Sequence, residues 1–553
     1  MSPFPRATLL RLLVFSSVRC FPVVQRHIIS RYFMTSAVEL TAAASPTPTF
    51  AAPAKRASEH VDTSQAKRPR NKNKARKNKN KQVEIERTGP EGYLLFDVLD
   101  LRRRLGLSCE AVKMSTDGER FMLPFPSTIE FRIVEAKIEV LSSTGDGVGV
   151  FTDGNATEVV VVPFAVPGDV VRAKLVKKAA LHYIADFIDV LTPGPERDDS
   201  LIKCKYFSRC GGCQLQMLPY TAQLAHKRRI IERAYKNLCI PITSADAIPK
   251  IGETIGSPME YAYRTKLTPH FDVPRHGHVP EELPVGFTQK GRSHVIDIEE
   301  CPIATPAINK AYAEARIKIK DNKHMYKRGV TLMFREGAEE GEERKTVVVE
   351  DSNATMTEYV GDLRFQYTAR DFFQCNNSVL PAVTSYVKNS LHDAAPVEID
   401  DGIKHLVDAY CGSGLFAVTC SDAMEDVIGV EISDKSVECA SRNAAANGVA
   451  NADFVLGDAA VIFERIKAPS DATAMILDPS RKGCDERFLS QLLTYGPRRV
   501  VYVSCNVHTQ ARDVARILRD GGYVVESIRG FDFFPQTHHV ESVAVLRRVD
   551  KGT

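Results

Sequence analysis

Across 553 residues no apolar run is long enough to cross a bilayer: Leu9 to Val14 is short and interrupted, and no later segment reads as a membrane helix. A general positive surplus is missing too. Residues 1 to 82 hold 16 Lys/Arg against 3 Asp/Glu, while the remainder holds 57 against 66, so the net charge of +4 is a property of the tail. A mildly acidic body does not draw in a polyanion by bulk charge, and any contact with nucleic acid falls to local patches or to that tail. Acidic residues are absent before Glu39, while Arg6, Arg11, Arg19, Arg26 and Arg31 recur among serines, the pattern of a mitochondrial transit peptide. The 13 cysteines lack even spacing, which favours metal or catalytic use over a disulfide framework.

What is present divides the chain into five stretches. Residues 1 to 82 read as a disordered targeting and basic tail, with Met34 as an internal start that omits the presequence. Lys67-Arg68-Pro69-Arg70 leads into a Lys/Arg/Asn run to Lys81 that has no apolar partner; it reads as a solvated linker, a nuclear address or an RNA-holding arm. The expected location is mitochondrial, nuclear-cytosolic or both. Residues 83 to 128 read as a linker with a helix over Tyr93 to Leu105. Between 129 and 193, five short alternating strands separated by glycine turns predict a small barrel, and Val162-Pro163-Phe164-Ala165-Val166-Pro167-Gly168-Asp169-Val170-Val171 resembles the core signature of a TRAM domain, an OB-like RNA-binding barrel. Residues 200 to 365 form a small mixed central domain with a cysteine cluster and a helix over Tyr220 to Leu238. From 366 to 549 helices alternate with five buried-looking strands, which predicts an α/β domain on a parallel sheet, closed by an antiparallel hairpin.

The chemistry-bearing residues collect at the ends of those strands. Ser504-Cys505-Asn506 follows the apolar run Arg499 to Val503, and Glu541 stands 36 residues beyond Cys505. A thiol at the C-terminal tip of a strand lies where open α/β sheets bind ligands, and a nearby carboxylate supplies a base, so the pair points to covalent catalysis. Asp408-Ala409-Tyr410-Cys411-Gly412-Ser413-Gly414 follows the first strand, Glu431 ends the second, and Asp458 and Asp478 follow the third and fourth. Acids that track a sheet edge favour a nucleoside-bearing ligand, such as S-adenosylmethionine; the alternative is that they only cap the following helices.

Five motifs in order, Arg370-Asp371-Phe372-Phe373-Gln374-Cys375-Asn376, Asp408 to Gly414, Asp478-Pro479-Ser480-Arg481-Lys482-Gly483, Ser504-Cys505-Asn506 and His538-His539-Val540-Glu541-Ser542, resemble the RNA (uracil-5-)-methyltransferase family over about residues 130 to 548. The phrase Gly530 to His539 resembles its eukaryotic tRNA branch. The resemblance implies a Rossmann-like class I methyltransferase domain in which Gln374, Tyr410, Glu431 and Asp478 contact S-adenosylmethionine, Cys505 is the nucleophile and Glu541 the base. It implies tRNA as partner, modified in the T loop by a monomer. Ser480 in place of a second proline and Leu415 in place of an asparagine depart from the pattern. The same reaction on ribosomal RNA, or an RNA-binding protein in which methylation is secondary, are the alternatives.

Three further readings follow. Arg481 or Lys482 is suited to lower the Cys505 thiol. Phe531, Phe533 and Phe534 read as a stacking surface or, more simply, as core. Cys204, Cys210 and Cys213, spaced Cys-x5-Cys-x2-Cys, with Cys301 as a distant fourth thiol, suit a [4Fe-4S] cluster, a pattern that cluster-bearing family members share; structural zinc or a bare site are the alternatives.

Overall fold

The computed structural model describes residues 82–549 apart from 125–127, 130, 274–279, 340–343, 393–401, 459–462 and 464. The tail expected over residues 1 to 82 lies outside the described residues but for its last position.

Residues 83 to 128 are not a linker. Strands Gln82–Glu86, Lys113–Met114 and Arg120–Pro124 form a small antiparallel sheet, and helix α1 (Pro90–Arg104) leaves it. The helix begins three residues before the expected Tyr93 because Pro90 opens it, where the missing N–H costs nothing. Leu95, Val98, Leu99, Leu101, Phe121 and Leu123 share one core with Val148, Val159, Val161 and Leu181 of the next unit. Strands of two to five residues carry too little periodicity to be read from sequence, so only the helix was visible there.

Five strands, Ile133–Leu141, Gly147–Asp153, Ala156–Val162, Val170–Lys178 and Tyr183–Thr192, pair in a ring, the last closing on both its third and fourth members. Asp169, fully buried at the turn into the fourth strand, accepts from Val166 N (2.9 Å) and Gly194 N (2.7 Å) and pairs with Arg197 (3.0 Å).

Helix α2 (Tyr220–Leu238) falls where its periodicity places it, but it does not stay within a central domain. Its Ile230, Ile231, Ala234, Tyr235 and Leu238 belong to the core beneath the C-terminal sheet. That sheet consists of β1 (His405–Ala409), β2 (Asp426–Glu431), β3 (Ala452–Leu456), β4 (Thr473–Leu477), β5 (Arg499–Ser504), β6 (Tyr523–Phe531) and β7 (Glu541–Arg548), in the order β3-β2-β1-β4-β5-β7-β6. Strands β1 to β5 are parallel; β7 runs antiparallel to both β5 and β6. The expected hairpin is therefore present, with β7 inserted inside β6. Val500 and Tyr502 enter the core on one face, Val501 and Val503 that on the other, which is why the run Arg499 to Val503 is apolar without alternation. The strand order reverses between β1 and β4, and the crevice beyond their C-terminal ends is where such sheets take ligands. Helices α3 (Leu415–Cys420), α4 (Asp434–Ala446) and α5 (Val507–Gly521) follow β1, β2 and β5.

Candidate active site

Ser504 of β5 pairs with Ser542 of β7. Cys505 follows the last residue of that ladder and Glu541 opens β7, near enough for the Glu541 carboxylate to act on the thiol. The 35 residues between them include the helix and strand that bring the chain back alongside itself. Around the pair stand Asp478, beyond the tip of β4, and Arg481. Burial first, then the Glu541 and Asp478 carboxylates, push the Cys505 thiol up to about 12, against the pull of the Arg481 guanidinium, which hydrogen-bonds it. Glu541 is buried and its carboxyl is held well above the usual range by burial and by Asp478, with Arg481 opposing. Burial alone lifts Asp478 to about 7. Arg481, not Lys482, is thus the cation that favours both charged forms.

One asparagine organises the loop. Asn506 caps α5, its Oδ1 accepting from His508 N (3.2 Å), and its Nδ2 donates to Arg481 O (2.9 Å) and, at 3.5 Å, to Thr88 O. Ser504 Oγ donates to Asn506 O (3.0 Å) and accepts from Asn506 N (3.1 Å).

The edge formed by the loops after β1 and β2 is equally fixed. Glu431 accepts from Gly412 N (3.1 Å) and Ser433 N (3.0 Å), bridging the loops after β1 and β2. Gly414, in the left-handed region at φ 88°, starts α3, and a Cβ there would press on Ala440. Tyr410 occupies the same region at φ 68° without being glycine, a conformation kept where the surroundings over-determine it. Asp408, fully buried, accepts from Ala417 N (2.9 Å) through one oxygen while the other is orphaned among the described residues. Gln374 is buried, two residues before Asn376, whose Nδ2 donates to Phe533 O (3.2 Å). Asn443 of α4, not evident from sequence, donates to Ser413 O (2.9 Å) and Gln366 O (3.0 Å), tying the glycine loop to the strand before Gln374. An orphaned carboxylate oxygen, a cradle kept free of Cβ atoms and a bridging glutamate suit a ligand carrying hydroxyls and positive charge.

The aromatic phrase before Glu541 is core: Phe531 and Phe533 are buried. Its loop is pinned from outside the sheet. Lys227 of α2 forms a fully buried ion pair with Asp532 and donates to Phe534 O (2.9 Å). Gln223 donates to Gln536 Oε1 (3.0 Å) and accepts from Gln536 N (3.0 Å), and Gln536 O accepts from Gln214 N (2.9 Å) and Leu215 N (3.1 Å). His538 lies beside Gln214 Oε1 (3.2 Å), not on Glu541. His539, rather than carrying charge, is pushed down to about 4 by burial and by Arg481, Lys227 and Arg264.

Cys204, Cys210, Cys213 and Cys301 do come near one another: burial raises each thiol, and neighbouring thiols raise Cys210, Cys213 and Cys301 further. The expected cluster is nevertheless not supported. Among the described residues no group of three or more His, Cys, Asp or Glu side chains is arranged to hold a metal ion. What the cysteine loop visibly does is present Gln214 and Leu215 to Gln536. Cys411, Cys420, Cys439 and Cys484 are buried, as core thiols are.

A family model described as tRNA (uracil-5-)-methyltransferase matches residues 307–549. The tRNA (uracil(54)-C(5))-methyltransferase of Schizosaccharomyces pombe is 49% identical over 422 residues, which cover 76% of this chain and 79% of that protein. The chain belongs to the tRNA (uracil-5-)-methyltransferase family. Saccharomyces cerevisiae has a relative of the same name, 40% identical over 534 residues, covering 84% of this chain and 82% of its own. The crystal structure of Pyrococcus abyssi tRNA (uracil-54, C5)-methyltransferase in complex with S-adenosyl-L-homocysteine shares the fold, with a TM-score of 0.54 and 22% identity over 74% of this chain and 100% of that one. Among the described residues no helix is long and apolar enough to cross a membrane.

Proposed function

We infer that the chain transfers a methyl group from S-adenosylmethionine to carbon 5 of a uridine in tRNA, at position 54 as in the relatives' names. The observation that carries this reading is the meeting of Cys505, just past the end of β5, with Glu541, at the start of the neighbouring β7, beside Asp478 and Arg481. S-adenosylmethionine supplies the methyl group when bound, and Gln374, Tyr410, Glu431 and Asp478 are the residues that would hold it.

Carbon 5 of uracil is a poor nucleophile until a thiolate adds at carbon 6 and leaves an enolate with electron density at carbon 5. Cys505 Sγ makes that bond, and Arg481 favours its charged form. After methylation carbon 5 still carries its original hydrogen, which Glu541 removes as a proton; the released pair re-forms the ring double bond and expels Sγ. A carboxylate whose proton affinity burial has raised is the stronger base once ionised. The target base is stacked in folded RNA and must be flipped out, costing a few kcal/mol.

The five-stranded ring is assigned to the TRAM class and to RNA grip, supported by Phe131, Ile184, Ile188 and Leu191 exposed on its surface, with Lys174 over the Phe131 ring. Residues 1 to 81 are assigned the address: a mitochondrial form starting at Met1 and a nuclear-cytosolic form starting at Met34, to be checked by imaging the two starts separately. No metal is assigned to the four cysteines.

The reaction is tested by mixing the protein with cofactor and 5-fluorouridine-substituted tRNA. Fluorine is not removable as a cation, so a covalent complex accumulates, and mapping the trapped nucleotide identifies the position. A Cys505→Ala protein that still forms the complex overturns the assignment.

A further inference from the structure

The module over residues 82 to 124 has no part in the chemistry so far, yet it reaches the catalytic loop. The apolar side of α1 faces the barrel, with Leu95, Val98, Leu99 and Leu101 in their shared core. Tyr93, on its first turn, points elsewhere: its ring stacks on His508, centroids 4.0 Å apart and planes 8° from parallel. His508 is the second residue of α5, three positions from Cys505, and is buried and neutral, its imidazole pushed down to about 3 by burial. Just before α1, Thr88 O receives the Asn506 Nδ2 that also bonds Arg481 O.

The module is set in this place from several sides. Gly92 packs where a Cβ would stand 2.0 Å from Glu86 O, so only glycine lets α1 turn so tightly off its strand. Arg87 donates to Gly118 O (2.7 Å) and, at the end of α2, to Asn237 O (3.1 Å). Asp97 accepts from Ser143 N (2.6 Å) in the barrel and pairs with Arg233 of α2 (3.1 Å). A module needed only to cover the barrel would require none of the contacts at residues 88 and 93.

We propose that Tyr93 is a positioning residue for the methyl transfer: through its stack on His508 and the Thr88–Asn506 bond beside it, the N-terminal module fixes the Ser504–His508 loop and with it the thiol and the Arg481 backbone. This rests on the reaction inferred above. The nucleophile is placed by a loop, and loops are less exact supports than strands, so a bracket from a separate unit matters to rate. Misplacing a reacting atom by about 1 Å costs on the order of 100-fold in rate.

The test measures covalent trapping on 5-fluorouridine-substituted tRNA at saturating cofactor and RNA, together with the dissociation constant for tRNA and the thermal midpoint, in the full chain. Tyr93→Ala is expected to lower the saturating trapping rate at least about tenfold with tRNA affinity held within about twofold, and Tyr93→Phe, which keeps the stacked ring, to return to within about twofold of the parent. Tyr93→Leu keeps apolar volume without a planar face and serves if the alanine protein does not fold; it is expected to show the same split. An unchanged saturating rate in a folded Tyr93→Ala or Tyr93→Leu protein overturns the inference, as does a loss confined to tRNA affinity or one that Tyr93→Phe shares in full. If the parent protein itself traps nothing, the reaction is what has failed, and the role of Tyr93 falls with it.

Discussion

Removing the Glu541 carboxyl separates two halves of the chemistry. In Glu541→Gln the Cys505 addition and methylation remain, but no base takes the carbon 5 proton. Ordinary tRNA should then accumulate in a covalent complex visible on a denaturing gel, with release slowed by about 100-fold or more, the usual worth of a general base. The thiol itself sits far above neutrality, so the thiolate fraction grows with pH across the range in which proteins are handled. Trapping is expected to rise from pH 6 to 9 without a plateau, and Arg481→Met to lower it at every pH while Arg481→Lys restores part. At this scale the pairing of Cys505 with Glu541 is legible in the motifs, whereas the choice between Arg481 and Lys482 is not, and it is Arg481 that stands beside both. Asn506 and Asn443 were not legible, because each acts by bonding backbone brought in from distant sequence, and a lone asparagine carries no sign of that.

Among the elements, the loop that delivers Glu541 depends on a charge pair with no access to water. In Lys227→Met the Asp532 carboxylate is left buried and uncompensated, a loss of about 3–5 kcal/mol measured by urea unfolding. Adding Asp532→Leu should recover part of it, but not all, since Phe534 N (3.0 Å) then loses its acceptor at a cost of about 1–3 kcal/mol. The barrel carries a pH signature of its own. Burial holds His182 neutral, pushed down to about 4. A depressed folded value means stability that is present above about 6.5, the unfolded value, and is lost as pH falls toward 4. His182→Gln should therefore lose less thermal stability than the parent between pH 7 and pH 4. The strands of the parallel sheet are readable because each is an apolar run, and four of the five close on or beside an acid. The small sheet at residues 82 to 124 was not, and α2 was assigned to the wrong neighbour because periodicity tells which face is buried but not against what.

For the molecule as a whole, the unequal charge of tail and body has a measurable effect. A chain beginning at Gln82 lacks 16 Lys/Arg and keeps an acidic body. It should bind tRNA more weakly and with a shallower dependence of log affinity on log salt, because fewer counterions are released. Its trapping rate at saturating RNA should be unchanged, since the residues placed at the site lie beyond that point. The sequence divided this body into consecutive domains, but its cores cross those divisions. Helix α2 shares one core with the C-terminal sheet, and α1 shares another with the barrel. Such sharing depends on which apolar faces meet, and that information is spread over hundreds of residues.

The ladder joining β5 to β7 acts as a ruler for the reaction. Its last pair, Ser504 and Ser542, is spaced by main-chain hydrogen bonds, so Cys505 and Glu541, each one residue from that pair, start from fixed backbone, and most accommodation of an ill-fitting nucleotide falls on the RNA. A single residue inserted within β7 just after Glu541 would turn that carboxyl to the opposite side of the sheet while every side chain of the site was still present.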